Sequence, residues 1–190
     1  SPLAKIGGNA NAGAVTLIKP SGNFSNTTGT PSAANSLVGG DANDFVGGGN
    51  FGAGGVYVLT NGNYVVASPN WGPGGAGQGA ATFINVASPT VGAVSSSNSL
   101  VGAVTTSQDA IASGGVELNT SDPNLKAIVP LTNGNYVVVS PFWDNGCTGA
   151  SCTANFAGAV TLMSGTTGLT VADGLHTISA ANSLVGSQLS

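Results

Sequence analysis

The same short motifs recur along this chain in a fixed order, and this repetition constrains the fold more than any other feature. N-S-L-V-G occurs three times, at residues 35–39, 98–102 and 182–186. The octapeptide L-T-N-G-N-Y-V-V occurs twice, at residues 59–66 and 131–138. An eight-residue identity that keeps its order relative to a second motif predicts a fold built from repeated units.

Two further motifs complete the repeat. Ser-Pro follows each octapeptide after one intervening residue, at residues 68–69 and 140–141, and the chain itself begins with Ser-Pro. Between each Ser-Pro and the next N-S-L-V-G lies a third motif, which reads A-G-A-V-T-L at residues 12–17 and 157–162 and G-A-A-T-F at residues 79–83. Every copy of the repeat therefore keeps the same order of motifs.

Each octapeptide predicts a β-hairpin. Asn61-Gly62 and Asn133-Gly134 stand between segments in which apolar residues alternate. Asn-Gly is the preferred pair for a two-residue type I′ turn, which needs a positive φ at both central positions. We call the strand before the turn strand A and the strand after it strand B. Pro69 and Pro141 should end strand B, because proline cannot donate to the sheet ladder.

The third motif predicts a strand C, over residues 15–17, 81–84 and 160–163, and S-L-V predicts a short strand D. The fold class expected is all-β with almost no helix, made of repeated four-stranded antiparallel units. These units would be either β-propeller-like blades or layers of an open β-stack. Residues 1–40 form a partial repeat with strands C and D only, and residues 41–103 and 104–190 form full repeats.

The order of the strands leaves one hairpin unaccounted for. The chain begins where a strand B should just have ended, so three C–D halves are accompanied by two A–B hairpins. Two and a half blades cannot close a propeller, which needs at least about four. Either the upstream hairpin lies outside this chain, or a neighbouring copy supplies the missing pairing and a head-to-tail filament results.

The composition excludes several classes of function. Only 5% of the residues are charged and the formal net charge is −4, whereas ordinary domains have about 25% charged residues. Nucleic-acid binding would need clustered Lys or Arg, and no apolar run approaches the roughly 18 residues of a membrane helix. A surface of Ser, Thr, Asn and Gly suits material that packs against copies of itself or lies in an extracellular matrix.

These motifs resemble the tandem repeats of very large secreted bacterial proteins of the filamentous-haemagglutinin-like, two-partner-secretion type. Those repeats carry L-T-N-G-N-Y-V-V-x-S-P-x-W-D-N-G followed by A-G-A-V-T and N-S-L-V-G, which this chain also has between residues 131 and 186. The string is more distantly similar to the FG-GAP blade of integrin-α-type propellers. In that blade, D-G-x-x-D-L-V-V-G-A-P is followed by G-x-V-Y-V. In this chain, N-Y-V-V-A-S-P and A-G-A-V-T occur in the same order.

The resemblance implies a secreted, non-catalytic protein of the cell surface or a biofilm matrix, with an adhesive or structural role. The expected partners are copies of the chain or flanking repeats of the same polypeptide. A lectin-like module that binds carbohydrate is the alternative. FG-GAP blades often hold calcium in an Asp-rich loop, but this chain has T-N-G-N at residues 60–63. That calcium site is therefore not carried over, and no cofactor is expected.

Catalysis has few candidate residues. His176 is the only histidine and lies in a variable loop. A catalytic base needs a positioned nucleophile and an orienting carboxylate, and no G-x-S-x-G or comparable context surrounds any serine. We predict that His176 is an exposed loop residue and that the chain is not an enzyme.

The remaining candidates are binding or modification sites. In a secreted chain, Cys147 and Cys152 would form a disulfide that closes the loop between strands B and C. Trp71 and Trp143 of S-P-x-W could stack on sugar rings or pack beneath the adjacent loop. Each octapeptide also contains a tyrosine, Tyr64 or Tyr136, which should pack between repeats.

The last two sets of candidate residues lie in polar loops. Asp41, Asn43 and Asp44 are candidate oxygen ligands for a cation such as calcium, with a simple turn as the more common role of such residues. The Asp144-Asn145-Gly146 segment is expected to form a turn. N-x-S/T sequons, which matter only if the source organism glycosylates asparagine, occur at Asn23, Asn26 and Asn119.

Overall fold

The computed structural model describes residues 1–17, 30–49, 54–73, 77–102, 109–114, 126–145 and 156–187. Over these ranges the chain is all-β, as the sequence predicts, and its strands are short. They are β1 (Ala14–Val15), β2 (Leu37–Val38), β3 (Gly55–Val58), β4 (Tyr64–Ser68), β5 (Ala80–Ile84), β6 (Gly92–Ala93), β7 (Ser99–Val101), β8 (Ile128–Pro130), β9 (Tyr136–Ser140), β10 (Ala159–Met163) and β11 (Ser183–Val185).

The strands form three sheets. The first has the order β1-β2-β6, the second β3-β4-β5-β7, and the third β11-β10-β9-β8. All pairings are antiparallel except that of β2 with β6. The second and third sheets each contain the predicted strands A, B, C and D in order, which confirms the four-stranded repeat.

The first sheet contains strands C and D, and Ser1 lies where strand B would end. The amino group of Ser1 donates to the carbonyl of Ala14 at 2.7 Å, and the Ala14 N–H donates back to Ser1 at 2.9 Å. In the second sheet the last residue of strand B, Ser68, pairs with Ala80 in the same way. The first residue of the chain thus keeps the register of the repeat.

The hairpin turns differ from the sequence prediction. Gly62 N–H donates to Leu59 O at 3.0 Å, and Leu59 N–H donates to Asn63 O at 2.7 Å. Gly62 has a φ of 87°, but Asn61 is not among the residues with positive φ. The loop is therefore a three-residue type I turn closed by a glycine bulge, not the two-residue type I′ turn. Gly134, with a φ of 89°, closes the same loop between Leu131 and Asn135.

The sheets stack as layers, with the second sheet between the other two. Along β4, Tyr64 and Val66 belong to the core shared with the first sheet, while Val65 and Ala67 belong to the core shared with the third. Both faces of β4 are consequently buried along its whole length. The repeats form an open stack of sheets that is not closed into a barrel.

Among the described residues, the third sheet is covered on one face only. Along β10, Ala159, Thr161 and Met163 are buried, whereas Val160 and Leu162 are exposed. The tyrosine interpretation is confirmed, because Tyr64 and Tyr136 lie in the cores between successive sheets. The Tyr136 ring also stacks on Phe83 of the second sheet, with a centroid separation of 6.4 Å and an interplanar angle of 7°.

Candidate interaction site at the junctions between repeats

Each repeat supplies a short strand to the sheet of the repeat before it. Strand β6 comes from the loop between strands C and D of the second repeat, yet it pairs in parallel with β2 of the first sheet. Gly92 N–H donates to Ser36 O at 2.9 Å, and Val94 N–H donates to Val38 O at 3.0 Å. We call residues 92–94 and the equivalent residues 176–178 the donor segments.

The second junction repeats this arrangement. Val101 of β7 forms a parallel bridge with Thr177, and its N–H donates to the carbonyl of His176 at 3.4 Å. The register is the same at both junctions, because Val38 faces Ala93 as Val101 faces Thr177. The addition of a donor segment to the preceding sheet is thus a recurring feature of the repeat. The sequence did not reveal it, because two or three paired residues carry no periodic pattern.

The asparagine of N-S-L-V-G fixes each donor segment. Asn98 Oδ1 accepts from Ser95 N at 2.9 Å and from Ser99 Oγ at 2.7 Å, while its Nδ2 donates to Ala93 O at 2.9 Å. Asn35 and Asn182 make the equivalent three bonds in their own repeats. One side chain therefore holds the donor segment, the following turn and strand D together.

Replacing Asn98 with alanine should lower the free energy of unfolding by about 1–3 kcal/mol, because partly buried backbone groups lose their hydrogen-bond partners. Urea denaturation of the full chain measures this change. Ser96→Ala is the matched control, since Ser96 is exposed in the same turn and should stay within about 0.5 kcal/mol of wild type. Equal stability of the two variants would contradict a clamping role for Asn98.

A buried aspartate also joins each pair of repeats. Asp44 Oδ1 accepts from Gly72 N, in the loop after strand B of the second sheet, at 3.3 Å, and Asp44 Oδ2 accepts from Asp41 N at 2.9 Å. Asp109 Oδ1 likewise accepts from Asp144 N at 3.2 Å. Burial raises the pKa of the Asp44 carboxyl, and the N–H donors offset part of this effect. Each aspartate anchors the loop that follows strand B, in the second sheet for Asp44 and in the third sheet for Asp109.

The same contacts involve residues 41–44, the candidate cation site. The Asp44 carboxylate faces backbone N–H groups, and Asn43 Oδ1 accepts from the Asn11 amide at 3.1 Å. Within the described residues there is no group of three or more His, Cys, Asp or Glu side chains that could hold a metal. The geometry found at this site is that of a turn that links two repeats.

The hairpin tips form a third connection. Asn61 Nδ2 donates to the carbonyl of Gly165 in the next repeat at 2.7 Å, and Asn63 Nδ2 donates to the same carbonyl at 2.9 Å. Thr60 Oγ1 donates to Leu131 O at 2.8 Å. T-N-G-N therefore contributes side chains to the next repeat as well as turning the chain. The sequence indicated the turn but not these bonds.

Both tryptophans of S-P-x-W are buried. Trp71 is 7% exposed in the core between the first and second sheets, and Trp143 is 3% exposed in the core between the second and third. Neither indole offers an open ring face on which a sugar could stack. Their backbone N–H groups close the turns after strand B, since Trp71 N donates to Ser68 O and Trp143 N donates to Ser140 O. Packing is the role that this geometry supports.

His176 lies in a donor segment rather than in a free loop. Its side chain is half-buried, so the predicted exposure is corrected, because the segment pairs with β7. Burial lowers the pKa of the imidazole, and a hydrogen bond with the backbone of Ser97 opposes this shift. The predicted disulfide of Cys147 and Cys152 and the sequons at Asn23, Asn26 and Asn119 lie outside the described residues.

Across the described part of the chain, no helix is both long and apolar enough to span a bilayer. No curated protein and no solved structure matches the chain significantly. A family model described as a repeat of unknown function (DUF5650) matches three successive segments, at residues 1–48, 58–113 and 130–190. These segments cover most of the sequence, and the chain belongs to this family of repeats.

Proposed function

We propose that this chain is a non-catalytic structural segment of an extracellular fibre or surface layer, in which repeats stack in one direction. The observation that carries the proposal is the donor segment that a repeat adds to the sheet before it. At the first junction the following repeat adds a two-residue strand to the preceding sheet, and at the second it adds a single bridged residue in the same register. A repeat in the middle of such an array has neighbours on both sides that complete its fold.

The composition supports an array rather than a free soluble domain. The charged fraction of 5% gives little of the charge repulsion that keeps separate molecules apart. The secreted location and the adhesive role rest on this composition and on the resemblance to two-partner-secretion adhesins. The lectin-like alternative gains no support, because Trp71 and Trp143 are buried.

Immunogold electron microscopy with antibodies against the chain tests the proposal on cells of the source organism. We expect gold particles on intact, unpermeabilised cells or in the matrix between them, aligned along extended structures. Permeabilised cells, labelled with the same antibodies and with an antibody against an intracellular protein, are the control. Labelling that appears only after permeabilisation would overturn the extracellular assignment.

A further inference from the structure

One apolar sheet face is exposed at the end of the stack. We call the side of the third sheet that points away from the second sheet its outer face. Leu184 is 78% exposed there, Val160 41% and Leu162 38%. The face also carries a side chain from each hairpin strand, Val129 and Val137. Several neighbouring apolar side chains on one exposed face are typical of an interaction site.

The equivalent face of the second sheet is an established interface. By pairing register, Val129 and Val137 correspond to Tyr57 and Val65 of the second sheet. Tyr57 packs against the core that the second and third sheets share, and Val65 is fully buried in it. Ala81, Phe83 and Leu100 of the second sheet occupy the positions of Val160, Leu162 and Leu184. They too lie in or against the core that the second and third sheets share. The next repeat covers this face wherever one is present.

An unfilled strand position adjoins the outer face. In the first two sheets, strand D (β2 and β7) receives a donor segment from the following repeat along the edge that is not paired with strand C. Strand D of the third sheet is β11, which pairs only with β10 among the described residues. An open edge beside an apolar face can accept a further strand by β-augmentation.

We propose that the β11 edge and the outer face together bind one further complete repeat of this family. The proposal rests on the proposed function, because it extends the stacking seen between the three sheets. The incoming repeat contributes a donor segment parallel to β11 and an A–B hairpin over Val129 and Val137. Its Tyr, Val and Ile or Met side chains, equivalent to Tyr64, Val66 and Ile84, pack on the outer face.

The first, partial repeat of a second copy fits this site poorly. Its donor position holds Pro31, because Asn35 Nδ2 donates to Thr30 O as Asn98 Nδ2 donates to Ala93 O. Val94 N–H makes the second ladder bond of its donor segment, and proline has no N–H to replace it.

The missing A–B hairpin is a second obstacle for that partial repeat. Val56 and Val58 of β3 are 50% and 69% exposed where the first sheet has no hairpin to cover them, whereas Ile128 at the position of Val56 in β8 is fully buried. A partial repeat on the outer face would leave Val129, on the first hairpin strand, uncovered in the same way. The site is therefore complementary to a repeat with all four strands.

Extending the chain by one repeat tests the proposal. Residues 40–102 are added after Gly186, so that N-S-L-V-G is followed by its natural continuation and the new repeat brings its own hairpin and donor segment. Hydrogen exchange is followed in peptides that contain β11 together with the preceding residues 173–182, whose sequence occurs only once. We expect the β11 amides to exchange at least about tenfold more slowly than in the original chain. Peptides from residues 1–39 serve as the internal control and should not change.

A variant separates strand addition from general stabilisation. Val94→Pro in the added repeat alone removes the N–H that should bond to β11, and slow exchange at β11 should then be lost. Unchanged exchange at β11 in the extended chain overturns the inference, whether the added repeat folds or stays unfolded. Protection of β11 that rises with the concentration of the original chain also overturns it, in favour of a second copy. None of these outcomes depends on where the cell places the protein, which immunogold labelling tests separately.

Discussion

Replacing Gly79 with alanine is expected to lower the free energy of unfolding by more than about 3 kcal/mol, because strain and overpacking add at this position. Gly79 has a φ of 76° and forms a parallel bridge with Ile111 of the segment that links two repeats. A Cβ there would overlap the backbone nitrogen of Ile111 and lie 2.6 Å from the carbonyl carbon of Ala110. Backbone atoms of a bridged segment cannot move away as a flexible side chain can.

Two other glycines provide a graded control for this experiment. Gly62 has a positive φ but open space around its Cβ position, so Gly62→Ala should cost only about 1 kcal/mol of backbone strain. Gly40 has neither a positive φ nor a neighbour within 4 Å, and Gly40→Ala should change stability by less than about 0.5 kcal/mol. Urea denaturation of the three variants measures the series. If Gly79→Ala is no worse than Gly62→Ala, close backbone packing at this junction is refuted.

The same reasoning applies at the first junction, where Gly13 has a φ of 81° and a Cβ would overlap the backbone of Val46. Gly13 and Gly79 stand at the same position of the third motif. The glycine in A-G-A-V-T and Q-G-A-A-T therefore allows the segment after strand D to cross closely in front of strand C. From the sequence alone it could be taken for an ordinary turn residue.

The strands were predictable because their signals are local. Alternating apolar residues on either side of Asn-Gly predict a hairpin without knowledge of the rest of the chain, and the repetition confirms the assignment. The turn type was not predictable in the same way. In both hairpins the asparagine side chain accepts from the backbone two residues later, Asn61 Oδ1 from Asn63 N and Asn133 Oδ1 from Asn135 N. The Asn-Gly pair alone does not indicate this bond.

The junctions were not predictable because their partners are far apart in sequence. The donor segments read G-A-V at residues 92–94 and H-T-I at residues 176–178, and they share only their position before S-x-x-N. Asp44 and Asp109 both stand two residues before a buried β-branched residue, but the loops that precede them differ in length. A motif search aligned on N-S-L-V-G therefore separates these aspartates, although they occupy the same place in the fold.

Trp143→Ala is expected to lower the free energy of unfolding by about 3–5 kcal/mol, the usual cost of removing a buried aromatic ring. Trp143 is 3% exposed and lies in the core that joins the second and third sheets. Its loss should therefore weaken the contact between two repeats as well as the loop after strand B. Thermal unfolding followed by circular dichroism, together with urea denaturation, measures the effect.

Trp143→Phe is the matched variant, because it keeps an aromatic ring in the core and removes the indole N–H. That N–H is buried and has no hydrogen-bond partner among the described residues, so its removal relieves a desolvation cost of about 1–3 kcal/mol. Trp143→Phe should thus be clearly more stable than Trp143→Ala. A sugar-stacking tryptophan predicts the opposite pattern, in which Trp143→Ala abolishes binding on a glycan array and leaves the unfolding free energy unchanged. That result would replace packing with carbohydrate recognition as the role of S-P-x-W, and would reopen the lectin-like alternative for the whole array.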